Sequence, residues 1–289
     1  MKSTPTINKF KGIIFIILAS FLFATMNLFA KLASGCTPYQ KTFISNAVAT
    51  IVVCFIIFRK KQSFIGKKEN RKYLFLRGVM GTASILTLYS SMESLLLADA
   101  TILTKLSPFF TIIFSFIIIK EKITKKQLIS LIIAFLGSLF VIKPEFNSSM
   151  LPSILGVISA LTAGIAYTMI RVLGDKESFF TVILSFTGIA TITMFPSIFI
   201  NNEHLTFYNL CILIAAGICF TLGQVFLTLA YKNAPASEIS MFDYIGLLFA
   251  AFYGFILFSE VPDYLSIIGY IIIIGISIIN ILSNKKNNL

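Results

Sequence analysis

The chain has 289 residues, of which 57% are hydrophobic and only 12% charged, and its mean hydropathy is +0.90. Soluble domains carry about a quarter charged residues, so this composition excludes a water-facing surface over most of the chain and makes lipid its solvent. The net charge of +12 does not mark a nucleic-acid binder, because the basic residues sit in short segments between apolar stretches and not on a polar domain.

Crossing a bilayer core takes about 20 apolar residues, and ten such runs follow one another. They are Gly12–Ala33, Tyr39–Phe58, Tyr73–Leu95, Ala98–Ile119, Lys125–Ile142, Leu151–Leu173, Ser178–Ile200, Tyr208–Tyr231, Ala236–Phe258 and Tyr264–Ser283. The runs are continuous and not alternating, which predicts helices and excludes a barrel. Short connections leave no room for a soluble domain. The first run is too long for a signal-peptide core and no small-residue cleavage site follows it, so it reads as a retained helix.

Basic residues assign the sides. With the N-terminus inside, 19 of the 24 Lys and Arg fall at the termini or in connections on one face, the densest being Arg59 to Lys72. The positive-inside rule then predicts both termini in the cytoplasm of a multi-pass cell-membrane protein. Of the four cysteines, Cys54, Cys211 and Cys219 lie in apolar runs and Cys36 in a connection, without metal-ligand spacing. The single histidine, His204, reads as a solvated loop residue with no neighbour to share a metal.

Two stretches match at an offset of 139. "LADATILTKLSPFFTIIFSFIIIKEK" places Asp99 and Glu121 where "ASEISMFDYIGLLFAAFYGFILFSEV" places Glu238 and Glu260. A weaker echo links "FLFATMNLFAK" to "GIAYTMIRVLG". Five spans per half is an odd number, so residues 1–146 and 147–289 are expected to be inverted five-helix repeats, the architecture of many secondary transporters, with the site between the halves. With ten spans, two halves, "LSPFF" in the fourth span and its closing "KE", the chain resembles the EamA-type members of the drug/metabolite transporter superfamily. Pro108 followed by Glu121 is the strongest single marker of that resemblance. The second half keeps Glu260 but has Leu247 at the proline position, and Phe23-Ala24-Thr25-Met26-Asn27 stands where the family carries a tryptophan motif. The resemblance implies movement of small metabolites such as amino acids, amines or carboxylates.

Ionisable groups at membrane depth are functional candidates by default. Asp99 and Glu238 open their helices and read as N-terminal caps. Glu121 and Glu260 close theirs at the water interface, solvated or anchoring loops. Lys31, Lys41, Arg77 and Arg171 stand near span ends, where long stems reach headgroups, and Glu93 is also near an end. Lys105 and Asp243 differ. Each is seven residues into its span, roughly 10 Å deep at ~1.5 Å per residue, and the two enter from opposite sides. They are either an ion pair across the halves or the two charged ends of a zwitterion site. Side chains lean toward the N-terminus of their helix, which would carry these two apart. Asn27, Asn46, Tyr89, Tyr167, Gln224 and Tyr244 are the polar and aromatic groups a pathway could use, although each could equally bond a neighbouring helix.

The leading functional reading is a secondary transporter of a small metabolite working by alternating access, export favoured over import. It needs no cofactor, no metal and no nucleic acid, and functions as monomer or homodimer. No Walker motif is present for ATP to drive it. If protons are coupled, Asp243 is the candidate carrier. A channel or non-catalytic membrane subunit is the alternative. An intramembrane enzyme comes last, because the chain has no HExxH, no GxSxG and no histidine within a span.

Overall fold

The computed structural model describes residues 9–33, 35–94, 103–142, 150–199, 205–258 and 263–286. Asp99, Lys143, His204 and Glu260 lie outside these residues, as does the side chain of Glu93. Among the described residues the regular structure is entirely helical. In chain order the helices are α1 (Lys9–Leu32), α2 (Pro38–Arg59), α3 (Arg71–Ser94), α4 (Ser107–Phe114), α5 (Lys125–Ile142), α6 (Met150–Leu173), α7 (Phe179–Met194), α8 (Phe207–Asn233), α9 (Gly246–Phe258) and α10 (Tyr264–Lys286). Among the described residues five, α1, α2 and the stretches built on α6, α7 and α8, are long and apolar enough to cross a membrane by themselves.

Local sequence sets the ends. Thr37 opens α2 as a capping box: its hydroxyl accepts from the Gln40 N–H, the Gln40 amide oxygen accepts from the Thr37 N–H, and Pro38 takes the first helical position, where no N–H is needed. Thr206 caps α8 with its hydroxyl, which accepts from the Asn209 N–H at 3.2 Å. At the end of α7, Pro196 has no N–H to return to the preceding turn, and the chain tightens into a 3₁₀ segment over Phe195–Phe199.

Packing joins the halves helix by helix. α1 lies along α8 and α3 along α6; α4 rests on α6 and α9 on α1; α2 meets α8 and α3 meets α7. The remaining principal pairs are α2 with α7 and α5 with α10. Exchanging the first five helices for the last five maps this set of pairings onto itself. Each principal interface therefore contains one helix from each half, and neither half encloses a core alone. Close approach needs small residues: a Cβ on Gly78 of α3 would strike the Ser185 carbonyl of α7, and one on Gly217 of α8 would stand 2.8 Å from Val48 Cβ of α2.

Large apolar side chains face outward, and polar side chains are set among the apolar ones of the interior. Phe55, Ile192, Phe252 and Ile271 are each more than half exposed, whereas Ser45, Asn46, Arg77, Thr111, Thr168 and Ser240 are buried. So extensive an apolar outer surface fits a lipid solvent. Two spans expected to be continuous are broken. The described part of the fourth span runs through a turn at Lys105 and Leu106 before α4 starts. The ninth consists of a single helical turn, Ala236–Ile239, a 3₁₀ run, Ser240–Ile245, and then α9.

Replacing Gly217 with leucine forces α2 and α8 apart and is expected to destabilise the fold by about 1–3 kcal/mol, the usual cost of overpacking. Gly275→Ala, whose new methyl meets open space, is expected to leave stability unchanged. Thermal unfolding of the two purified variants in detergent checks both.

Candidate functional site

Both breaks fall at the same place in the repeat. Pro108 supplies no N–H for the Thr104 carbonyl one turn earlier, and the Phe109 N–H closes instead on Leu106 O at 3.0 Å. The α-helical bond to the Lys105 carbonyl is replaced by the Tyr244 hydroxyl, which donates to it at 2.7 Å. Residues 105 and 244 are 139 apart, the repeat offset, so the break in one half is tied directly to its counterpart in the other. The second half achieves its break without proline, through the 3₁₀ run and Gly246, whose N–H reaches the carbonyls of Asp243 and Tyr244.

The two deep charges meet here. Lys105 Nζ donates to Asp243 Oδ2 at 3.0 Å and to the Asp243 backbone carbonyl at 3.2 Å. Ser20 of α1 donates to the other carboxylate oxygen at 3.3 Å. The Lys105 ammonium lies 5.9 Å from the centre of the Tyr244 ring. The side chains are 13% and 29% exposed for Lys105 and Asp243, so the pair is screened from bulk solvent but not sealed. Of the two sequence-level alternatives, the ion pair across the halves is the one present. Leaning toward the helix N-terminus argued against contact, but that rule assumes unbroken helices, and here the backbone turns under both residues.

A second knot holds the entry to the broken ninth span. Lys120 adopts a left-handed conformation (φ 58°) at the end of a π-helical turn over Ser115–Ile119 and turns Glu121 back toward the bundle. Glu121 accepts from Arg171 Nε of α6 at 2.5 Å and from the Ala236 N–H at 3.2 Å. It is thus an anchor between elements, the second of the two roles expected of it, and Arg171 is an interior partner and not a headgroup contact. Glu238 accepts from Lys9 at 3.0 Å and makes no capping bond, so the cap expected there is an ion pair instead.

The remaining candidates are scattered. Tyr244 belongs to the bridge. Tyr167 of α6 stacks on Tyr231 of α8, centres 5.4 Å apart, and feels the charges of both Asp243 and Arg77. Gln224 of α8 accepts from Arg77 Nη2 at 3.0 Å. Asn46 is fully buried and bonds back to Thr42 O at 2.8 Å. Tyr89 packs in an apolar cluster with Met26, Ala49, Phe186 and Phe220. Asn27 is exposed on α1, and no described contact brings it to Lys105. Arg77 was expected near headgroups; it is 1% exposed, in the centre of the packing of α3, α7 and α8. Its signal in the sequence was the pair Gly78 and Gly81, which draws neighbouring helices over it. Among the described residues no group of three or more His, Cys, Asp and Glu could hold a metal.

The fold and this bridge can be set beside known proteins. The EamA-like transporter family model matches residues 10–143 and again 150–282. The chain belongs to the EamA-like transporter family. The chain is 32% identical to the pseudopaline exporter CntI of Pseudomonas aeruginosa over 268 residues, covering 91% of this chain and 93% of that one. It is 26% identical to solute carrier family 35 member G1 of Mus musculus, covering 91% and 76%. A solved crystal structure, 13% identical, superposes with a TM-score of 0.78 over 96% of this chain and 99% of that one, which shows a shared fold. This EamA-like chain is accordingly a transporter-family protein of two repeats and a multi-pass protein of the cell membrane.

Removing the Tyr244 hydroxyl (Tyr244→Phe) leaves the Lys105 carbonyl without its donor and is expected to cost about 1–3 kcal/mol, the penalty for an unsatisfied buried polar group. Thermal unfolding of that variant against wild type measures it.

Proposed function

We propose that the chain is a secondary transporter that carries a small metabolite across the cytoplasmic membrane by alternating access, outward in preference to inward. The observation that carries this reading is the pair of broken segments tied together by Lys105, Asp243 and Tyr244. Irregular backbone at membrane depth is tolerated only where it is buried in protein or lines a pathway, and in transporters it marks the substrate site. On this reading, ten spans form two inverted halves, 1–146 and 147–289, with both termini in the cytoplasm. The distribution of basic residues and the exchange symmetry of the helix pairings support that arrangement.

The bridge spans the two halves, so separating them on either side must loosen or rearrange it. Lys105 and Asp243 are the central groups of the pathway, with Tyr244 beside them and Tyr167 and Gln224 lining it elsewhere. Asn27, Asn46 and Tyr89 belong to its walls at other depths. Asp243 is the group in the pathway suited to take up a proton as the bridge opens, so its carboxylate is the proposed site of proton coupling. Export is supported by the name of the Pseudomonas aeruginosa relative, which describes an exporter. Neither catalysis nor a cofactor is needed, and the functional unit is one chain or a homodimer.

The test compares metabolites inside and outside cells that express wild type or Lys105→Ala at matched membrane levels. One metabolite class is expected to move with wild type alone. Equal movement with both proteins would make Lys105 a structural residue. A second outcome follows from the carboxylate: Asp243→Asn is expected to abolish any dependence of transport on an imposed pH gradient. Unchanged dependence in vesicles would remove Asp243 from proton coupling.

A further inference from the structure

Arg77 carries a feature of the interior that the bridge does not explain. Its guanidinium is 1% exposed, yet among the described residues no carboxylate pairs with it. Its polar partner is neutral, the Gln224 amide oxygen at 3.0 Å. Its other neighbour is the face of Phe186, 4.6 Å from the guanidinium carbon to the ring centre. Of five N–H donors in the arginine fork, the one on Nε is buried with no acceptor at all. Half-buried cations among the described residues end on carboxylates: Lys105 on Asp243, Arg171 on Glu121 and Lys232 on Asp175.

A buried charge held without a counter-ion is strongly unfavourable, so a group kept in that condition needs a reason beyond packing. The surroundings are fitted to the guanidinium. Gly81, one turn along α3, has no side chain, and a Cβ there would collide with Arg77 Nη1 and stand 2.7 Å from the Phe186 ring. Thr187, next to Phe186 on α7, and Thr228, one turn beyond Gln224 on α8, both bury hydroxyls with no partner. Arg77 is six residues into α3, about 9 Å along the helix from its basic start at ~1.5 Å per residue.

We propose that Arg77 is the anion-recognition residue of this transporter and that its ligand is a carboxylate of the transported metabolite. The inference rests on the transporter reading above and narrows its substrate class. The planar guanidinium fork matches a carboxylate bidentately. One cation balances one carboxylate, whereas a phosphate dianion would call for a second, and Arg77's polar partner among the described residues is the neutral Gln224 amide. In the closed arrangement described here the Gln224 amide holds the fork in place. When the halves part, the substrate carboxylate takes the open donors and supplies the missing charge.

The experiment uses two variants. Arg77→Gln removes the charge. Gln224→Glu places a carboxylate where the amide oxygen now accepts, and so supplies an internal counter-ion. Each full-length variant is purified for thermal unfolding, and each is profiled in cells for metabolites in medium and cytosol. Wild type is expected to move compounds that bear a carboxylate, and both variants are expected to lower that movement roughly tenfold or more, the cost of a lost charged hydrogen bond. Their unfolding temperatures are expected to equal or exceed that of wild type, with Gln224→Glu the higher. Movement of amines or neutral compounds only, unaffected by Arg77→Gln, would overturn this inference and leave the transporter reading standing. Loss of folding in both variants would make Arg77 a structural residue and also overturn it. Movement of nothing by wild type would overturn the transporter reading, and this one with it.

Discussion

Where a helix breaks inside an apolar bundle, its carbonyl oxygens lose their own N–H partners and have no water to replace them. Each uncompensated group costs a few kcal/mol. The two breaks here, at Lys105–Leu106 and across Ser240–Ile245, meet each other, and each supplies what the other lacks. Tyr244 gives a hydroxyl to the Lys105 carbonyl, and Lys105 gives an ammonium to the Asp243 carbonyl and carboxylate. Each break is satisfied partly by local bonds, Phe109 N–H to Leu106 O and Gly246 N–H to Asp243 O, and partly by the other half. The helix pairings repeat that dependence on a larger scale, because the principal interfaces join one half to the other.

A joint of this kind fits the alternating access proposed above. The bridge is partly exposed, so its rearrangement exchanges a screened ion pair for solvated or ligand-bound groups and not for naked charge in lipid. Glu121 works differently. Bound to Arg171 and to the Ala236 N–H, it fixes one end of the broken ninth segment firmly to α6. The two ion-pair systems differ in exposure: Asp243 at the break is the more open, and Glu121 and Arg171 at its margin are the more enclosed.

Much of this was readable in the sequence. Equal spacing of acidic residues exposed the repeat, because carboxylates recur at fixed intervals in apolar helices only under constraint. Lys105 and Asp243 stood out because charge at depth is expensive. Pro108 stood in the fourth span as a family marker, although the span itself read as continuous. The second break had no proline to mark it, and a 3₁₀ run ending at Gly246 looks like any apolar stretch, so the ninth span also read as continuous. The contact between the two charges was hidden for the same reason: side-chain direction was inferred from straight helices. Arg77 was misplaced because distance from a span end says nothing about which face of the helix is covered. Burial of that face depends on Gly78 and Gly81 admitting α7, a tertiary fact. Glu121 read as an interfacial group because its partner Arg171 is 50 residues away in sequence.

The most direct measurement exchanges the charges. Thermal stability and metabolite flux would be compared among wild type, Lys105→Asp, Asp243→Lys and the doubly exchanged protein. If Lys105 and Asp243 join the halves by charge, each single variant places like charges together and loses both folding yield and flux, while the double exchange regains a substantial part of the stability. A double exchange no more stable than the worse single variant would contradict the bridge as the joint between the two halves.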